Sequence, residues 1–402
     1  MKKRLLFVDD DPNLLGGLKR ALYSMREEWE MEFVDSGAAA LDLLTSPFDV
    51  VVSDMRMPGM TGLELLNAVQ QRHPQTIRIL LSGQSDRESI LNSVARAHQY
   101  VSKPIDARQL KALLVQTISL GDLLENAALK TFVSRLNSIP SLPTLYLEVT
   151  QALRADDPSP ARIGEIIGRD IGMTAKILQV ANSIIYATRT EVTQPEKAVL
   201  ILGLDTVQSL VLSLSIFSSL SPSLQEAYPV ESLWQHSNLT GALCRAIGRA
   251  EKIEPAAAGG YVSAGLLHDI GKLLIVSSDP ALARKIAKIA TDQAKPSWQV
   301  EQDLLGCTHA EVGAYLLGIW GLPVPIVEAV ALHHSPSRSA TDQMSPLAAV
   351  HVANALYAQT HPYEANLDAT IDTAFLGRIG RLDRLPVWTE ACHEILEQPQ
   401  GK

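Results

Sequence analysis

Cysteine is scarce. Cys244, Cys307 and Cys392 are odd in number and share no C-x-x-C spacing, which excludes a paired disulfide framework and a cysteine metal site; they read as buried reduced thiols of a cytoplasmic chain. Long apolar runs are missing too: no segment reaches the roughly 18 residues that span a bilayer. Met1-Lys2-Lys3-Arg4-Leu5-Leu6-Phe7-Val8 starts as an export signal does, but Asp9-Asp10-Asp11-Pro12 ends the apolar run too early, so no membrane partner is expected. Positive charge is in deficit, with 35 Lys and Arg against 44 Asp and Glu, a net charge of -9 and no basic block, which argues against a nucleic-acid partner. What is present suits ordered folds: 46% of residues are hydrophobic and 20% charged. A chain of 402 residues is too long for one core, and two or three domains are expected.

The most informative stretch is Phe48-Asp49-Val50-Val51-Val52-Ser53-Asp54-Met55-Arg56-Met57-Pro58-Gly59. Val50 to Val52 form a β-branched run of the kind covered on both faces, so Asp54 should emerge at the strand's C-terminal edge, where open α/β sheets place their ligands. Pro58 and Gly59 then turn the chain toward a helix beginning near Gly62. Taken alone, Asp54 reads equally as a turn residue capping that helix.

From Lys3 to about Leu120, short apolar runs alternate with longer amphipathic segments, the pattern of parallel βα units. Strands are expected near Arg4 to Val8, Glu32 to Val34, Val50 to Ser53, Ile77 to Leu81 and Tyr100 to Val101. Four of them leave polar residues at their ends: Asp9 and Asp10, Asp54, Ser82, and Lys103 before Pro104. Three acids at one sheet edge repel unless a cation sits among them, and an all-oxygen set with room for waters suits Mg²⁺. There the Asp54 carboxylate would attack phosphorus while Lys103 and Ser82 hold the remaining phosphoryl oxygens. This constellation resembles the receiver domain of bacterial response regulators. The resemblance implies that Asp9, Asp10, Asp54 and the backbone carbonyl of Arg56 hold Mg²⁺, that a sensor histidine kinase phosphorylates Asp54, and that Tyr100 is the aromatic switch; as a plain strand residue, Tyr100 simply packs on the sheet.

Asp106 reads as the N-cap of a helix carrying Leu110, Leu113, Leu114 and Ile118, with apolar residues continuing to Leu136. That stripe suits pairing in a homodimer; Gly121 inside it, or a flexible linker, is the other reading. After Ile139-Pro140-Ser141-Leu142-Pro143 the chain reads as successive helices: Thr144 to Arg154, Ala161 to Arg169, Gly172 to Asn182, Pro195 to Leu202 and Asp205 to Phe217. In Leu142-Pro143, Asp170, Met173-Thr174-Ala175-Lys176-Ile177-Leu178, Ala181-Asn182-Ser183 and Ala198 to Asp205, this segment resembles the first half of the HDOD output domain.

Eight of the ten histidines follow. His236, His268, Asp269, His309, His333 and His334 lie on apolar helices, where unpaired polar groups are costly, so a metal or a hydrogen-bond network is expected. The set resembles the HD phosphohydrolase superfamily, whose cyclic-dinucleotide-cleaving branch places a phosphate-contacting Lys where Lys272 stands. The pattern departs from the enzymes at Asn354 and Ser232, where carboxylates are expected, and in lacking a Gly-Tyr-Pro signature after His334. Three readings stay open: vestigial core residues, one bound transition metal (Fe, Mn or Zn) without turnover, and an active phosphodiesterase on a cyclic dinucleotide.

The expected architecture is multidomain: an α/β doubly wound, flavodoxin-like receiver over 1–120, a linker or signalling helix over 121–135, and an all-α HD-like domain with a C-terminal helical extension over 136–402. The expected function is a response regulator whose output acts on an unknown downstream signalling protein by contact.

Overall fold

The computed structural model describes residues 2–82, 97–123, 139–141, 143–153, 155, 157–182, 191–212, 217–219, 230–360 and 370–397. Its N-terminal part is an alternation of β1 (Lys3–Val8), α1 (Pro12–Ala21), β2 (Trp29–Val34), α2 (Gly37–Leu43), β3 (Val50–Asp54), α3 (Gly62–Arg72), β4 (Ile77–Ser82), β5 (Gln99–Ser102) and α4 (Ala107–Leu123). All strand pairs are parallel, in the order β2-β1-β3-β4-β5. This is the doubly wound order with its switch point between β1 and β3, where the chain reverses direction across the sheet. Successive strand residues serve opposite faces. Leu5, Phe7, Val50, Val52, Ile79, Leu81 and Val101 pack with α1 and α4 residues, while Leu6, Val8, Val51, Leu80 and Tyr100 join a cluster with Leu65, Leu66 and Val69 of α3.

Helix ends follow local chemistry. Thr61 and Glu64 form a reciprocal capping box at α3, and Asp106 accepts from the Arg108 N–H at 2.8 Å, as its cap position predicts. Gly62 is required by space, because a Cβ there would lie 1.9 Å from the Asp54 carbonyl oxygen. The turn that follows the Asp54 strand is therefore drawn tightly onto it.

The remaining described chain is mainly helical: α5 (Pro143–Leu153), α6 (Pro160–Ile167), α7 (Ile171–Asn182), α8 (Pro195–Leu202), α9 (Leu204–Leu212), α10 (Val230–Ala250), α11 (Pro255–Leu267), α12 (Ile270–Ser278), α13 (Pro280–Gln293), α14 (Ser297–Leu305), α15 (His309–Ile319), α16 (Val324–Leu332), α17 (Pro346–Thr360), α18 (Thr373–Arg378) and α19 (Leu385–Leu396). The C-terminal helices are pinned to the bundle by Glu251, buried at the end of α10, which accepts from Arg381 (2.8 Å), Arg384 (2.7 Å) and the Trp388 indole (2.9 Å). Cys244, Cys307 and Cys392 are free and buried, as their scarcity suggests.

Two expectations need correction. The helix read from Asp205 to Phe217 is described over Leu204–Leu212 and does not reach Phe217, since Phe217–Ser219 is a strand (β7). It pairs in parallel with Ile139–Ser141 (β6), a ladder too short to leave a period-2 signature in the sequence. Gly121 does not break α4, which runs through it to Leu123; the expected signalling helix beyond, at 124–135, lies outside the described residues.

The two parts meet along the β5 edge and α4. Gln99 Nε2 donates to the Ile319 carbonyl at 2.9 Å and to Thr117 Oγ1 at 3.2 Å, and Gln179 Nε2 of α7 donates to the His98 carbonyl at 2.8 Å. Lys176, buried, sits 4.3 Å over the Trp320 ring. Opposite it, the Arg78 N–H donates to His98 Nδ1 at 3.1 Å.

Candidate functional site

The acid pocket comes together at the C-terminal edge of the sheet. One ligand oxygen each from Asp9, Asp10 and Asp54 lies within 4.8 Å of the others. Lys103 Nζ bridges the pocket, 2.7 Å from Asp9 Oδ2 and 2.6 Å from Asp54 Oδ1. The Arg56 N–H donates to Asp54 Oδ2 at 3.2 Å, and the Asp11 N–H donates to Asp9 Oδ1 at 2.9 Å. Burial pushes the Asp54 carboxyl above its ordinary range, helped by Asp9 and opposed by Lys103. Burial pulls Lys103 down, yet its bonds to Asp54 and Asp9 outweigh that and hold it above the usual value. One ammonium facing three acids leaves an excess of negative charge, and the buried Ser82 hydroxyl has no hydrogen-bond partner among the described residues. Both features fit a divalent cation and an incoming anion. Tyr100 is buried against the α3 face of the sheet, the inward position, as a packed strand aromatic.

The histidine cluster lies inside the helical bundle. Asp269 is the joint between α11 and α12, and Gly271 just after it admits α15 so closely that a Cβ would meet the His309 carbonyl oxygen at 1.9 Å. The carboxylate is thus surrounded. Its Oδ2 lies 2.7 Å from Lys272 Nζ, 3.4 Å from His268 Nε2 and 3.5 Å from His236 Nε2; its Oδ1 lies 3.0 Å from His309 Nε2 and 3.8 Å from His333 Nε2. His236 and His268 meet Nε2 to Nε2 at 3.0 Å, and His334 and His309 at 3.2 Å. Lys272, expected to contact phosphate, is an ion-pair partner of Asp269 here. Glu301 gave no sign in the sequence, being eight residues from His309 on another helix. It accepts from the His309 N–H (2.6 Å) and approaches its Nδ1 (2.7 Å), which directs Nε2 toward Asp269.

Electrostatics divide the imidazoles. Burial drives His236, His333 and His334 well below the ordinary histidine value and lowers His268. Burial also opposes a charge on His309, but Glu301 and Asp269 outweigh it and raise His309. Asp269 is held well below its ordinary range, since the surrounding imidazoles and Lys272 overcome its desolvation. Two buried carboxylates, Asp269 and Glu301, are therefore matched within the protein by Lys272 and His309.

Family models place the same division on the chain. The response regulator receiver domain matches residues 5–115, and the HDOD domain matches residues 139–336. The chain is a receiver–HDOD response regulator. An uncharacterised protein of Treponema pallidum is 24% identical over 267 residues, 66% of this chain and 50% of its own. The DNA-binding transcriptional regulator NtrC of Escherichia coli is 37% identical over 114 residues, covering 28% of this chain and 24% of its own. The regulator thus spans half the length, or less, of the first curated relatives it matches. The solved MmoQ response regulator from Methylococcus capsulatus shares the fold at a TM-score of 0.50 and 22% identity, covering 66% of this chain and all of that one. A receiver implies a phosphodonor such as a histidine kinase. Among the described residues, no helix is long and apolar enough to cross a membrane.

Whether the histidine cluster suits a metal turns on its donors. Asp269, His309, His333 and His334 offer ligand atoms within 4.8 Å of one another, as do His236, His268 and Asp269. His333 Nε2 is buried without a hydrogen-bond partner among the described residues, while Asp269 Oδ1 has His309 Nε2 at 3.0 Å. The set fits one ion sharing Asp269. It does not fit two or three, since Asn354 faces His236 where a further carboxylate would be needed, and Ser232 supplies none.

Proposed function

We propose that phosphorylation of Asp54 controls the docking of the receiver on the HDOD domain, and that the HDOD domain acts on a downstream signalling protein by contact. The supporting observation is the position of β5: Tyr100 directly follows His98 and Gln99, whose polar groups bond Gln179 and Ile319 of the HDOD domain. Mg²⁺ held by Asp9, Asp10, Asp54 and the Arg56 carbonyl would neutralise the donor's phosphoryl oxygens. The chain's own groups do the rest. The Asp54 carboxylate oxygen attacks the donor's phosphorus as the bond from phosphorus to the donor's phosphohistidine nitrogen breaks and the freed imidazole leaves, Lys103 Nζ leaves its carboxylate partners for a phosphoryl oxygen, and the Ser82 hydroxyl, without a partner among the described residues, donates to another. A shift of Ser82 opens room beside Tyr100 and moves the β5 edge against α7 and α15.

Solution scattering of the full chain with Mg²⁺, with and without beryllofluoride, tests the coupling. The expected result is a changed radius of gyration or oligomeric state that Gln99→Ala alone partly reproduces. Identical profiles in both states would remove the coupling.

A second reading has its own observation. His333 Nε2, buried without a hydrogen-bond partner among the described residues, lies 3.8 Å from Asp269 Oδ1, and these groups with His309 and His334 would hold one transition metal, either without turnover or as a phosphodiesterase centre. Metal analysis separates the readings: about one tightly held ion per chain, lost in His268→Ala, supports this one, and none leaves the cluster a hydrogen-bond network.

A further inference from the structure

At the opposite end of the receiver sheet from Asp54, a cavity of about 600 Å³ opens where β1, β3 and β4 begin and where Tyr315 of α15 crosses from the HDOD domain. Its charge is unlike that of the chain. Lys2, Lys3, Arg4 and Arg72 line it against a single carboxylate, Asp49, on a protein of net charge -9. Asp49 is turned inward, its Oδ2 accepting from the Arg4 N–H at 2.8 Å. Lys2 and Arg72 are held by carbonyls, Lys2 Nζ on Arg26 O at 2.8 Å and Arg72 Nη1 on Leu41 O at 3.2 Å. A carbonyl dipole positions a cation without cancelling its charge, so both remain available to an anion. Arg4 is more fully engaged, donating to Ser46 Oγ and the Pro47 carbonyl, lying over Phe48, and having Glu30 at 3.7 Å.

The wall from the HDOD side supplies a second, independent sign. Tyr315 is only 3% exposed and lines the cavity, and its hydroxyl makes no hydrogen bond among the described residues. Burial pushes that phenol up to about 12, so it stands there as a neutral donor. Without a partner among the described residues, and lining the cavity, that hydroxyl is open to a ligand there. The cavity's size is that of small-molecule sites.

We infer that this cavity binds a small phosphate-bearing anion of nucleotide size, held by Lys2 and Arg72 and by the Tyr315 hydroxyl. A ligand there touches both domains. Phosphate is favoured over a single carboxylate because it offers several acceptor oxygens and up to two charges to separated cations and a neutral donor.

The test is isothermal titration of the full chain with inorganic pyrophosphate and with AMP, in EDTA so that divalent-metal sites play no part, and with citrate as a phosphate-free polyanion. Saturable binding of pyrophosphate or AMP at one site per chain is expected, weakening as salt rises. Lys2→Gln with Arg72→Gln should weaken it about tenfold or more, and Tyr315→Phe about threefold to tenfold. Lys2 and Arg72 are exposed, so their variants should melt like the parent, and Tyr315→Phe keeps the ring's packing. No binding of either probe, binding unchanged by these substitutions, or equal binding of citrate would each overturn the assignment.

Discussion

Asp54 and Asp269 each face a lysine ammonium, at 2.6 and 2.7 Å, yet their surroundings differ in the way that matters for chemistry. Around Asp54 one lysine meets three acids, one of them exposed, and a buried hydroxyl has no partner; the pocket is short of positive charge and short of donors' targets. Around Asp269 a lysine and a raised histidine match two carboxylates, and the site is sealed within the bundle. A carboxylate left with surplus negative charge near solvent is poised to take a cation and react. One whose charge is already matched inside the protein calls less strongly for either.

The largest effect should come from Asp54→Asn, which leaves the pocket's shape but removes its nucleophile. Uptake of phosphoryl from acetyl phosphate, read by mobility shift, should fall below detection, and label persisting at another residue would contradict the assignment. Asp269→Ala should leave phosphoryl uptake intact while stranding half-buried Lys272 and buried His309, with a loss of about 3–5 kcal/mol in chemical denaturation. If the balance of charge is internal, chelator treatment of the parent should leave its melting temperature in place. A clear fall would sharpen the comparison the other way, by making Asp269 a metal ligand.

The receiver was legible because four of its five strands are short, largely buried runs that lead into a distinctive polar residue. Asp9, Asp54, Ser82 and Lys103 carry their position in their neighbours. The histidines were legible as a set, since imidazoles on apolar helices stand out, but the role of Lys272 was not, because its partner is decided by a turn of backbone at Asp269. Glu301 was invisible: its contact with His309 depends on how α14 packs beside α15. The domain interface was equally hidden, since Gln99, His98 and Gln179 are ordinary polar residues until tertiary packing brings them together, and β6 and β7 are too short to show a period.

A third carboxylate extends the comparison. Glu251 is buried beneath two arginines and an indole, which outweigh its desolvation and lower its pKa below 4.5. Its stabilising effect is present above the unfolded value and is lost as pH falls through the lowered one. Glu251→Gln should therefore cost about 1–3 kcal/mol at pH 7, with the difference closing as pH falls below the ordinary carboxylate range. Equal stability of the two proteins at neutral pH would mean that the C-terminal helices are held by packing alone.

At the domain interface the fold disfavours a charge instead of favouring one, and stability again rises with pH, in a higher window. Burial lowers Lys176 from 10.5 to about 7, with Arg78 and His98 on the receiver side and Trp320 beneath it. Between those values the unfolded chain binds the extra proton, so stability should rise with pH from about 7 to 9, by at most ~1.4 kcal/mol per unit. Lys176→Met should flatten that rise. A slope unchanged in the variant would move the titration to another group.

The most direct measurement of the coupling is hydrogen–deuterium exchange of the full chain, with Mg²⁺, before and after beryllofluoride is added. Residues 171–182 and 309–319, which meet the β5 edge, should change their exchange along with residues 97–102, and Asp54→Asn should abolish all three changes. Altered exchange confined to the acid pocket, with both HDOD helices unmoved, would contradict a phosphoryl signal passing through this interface.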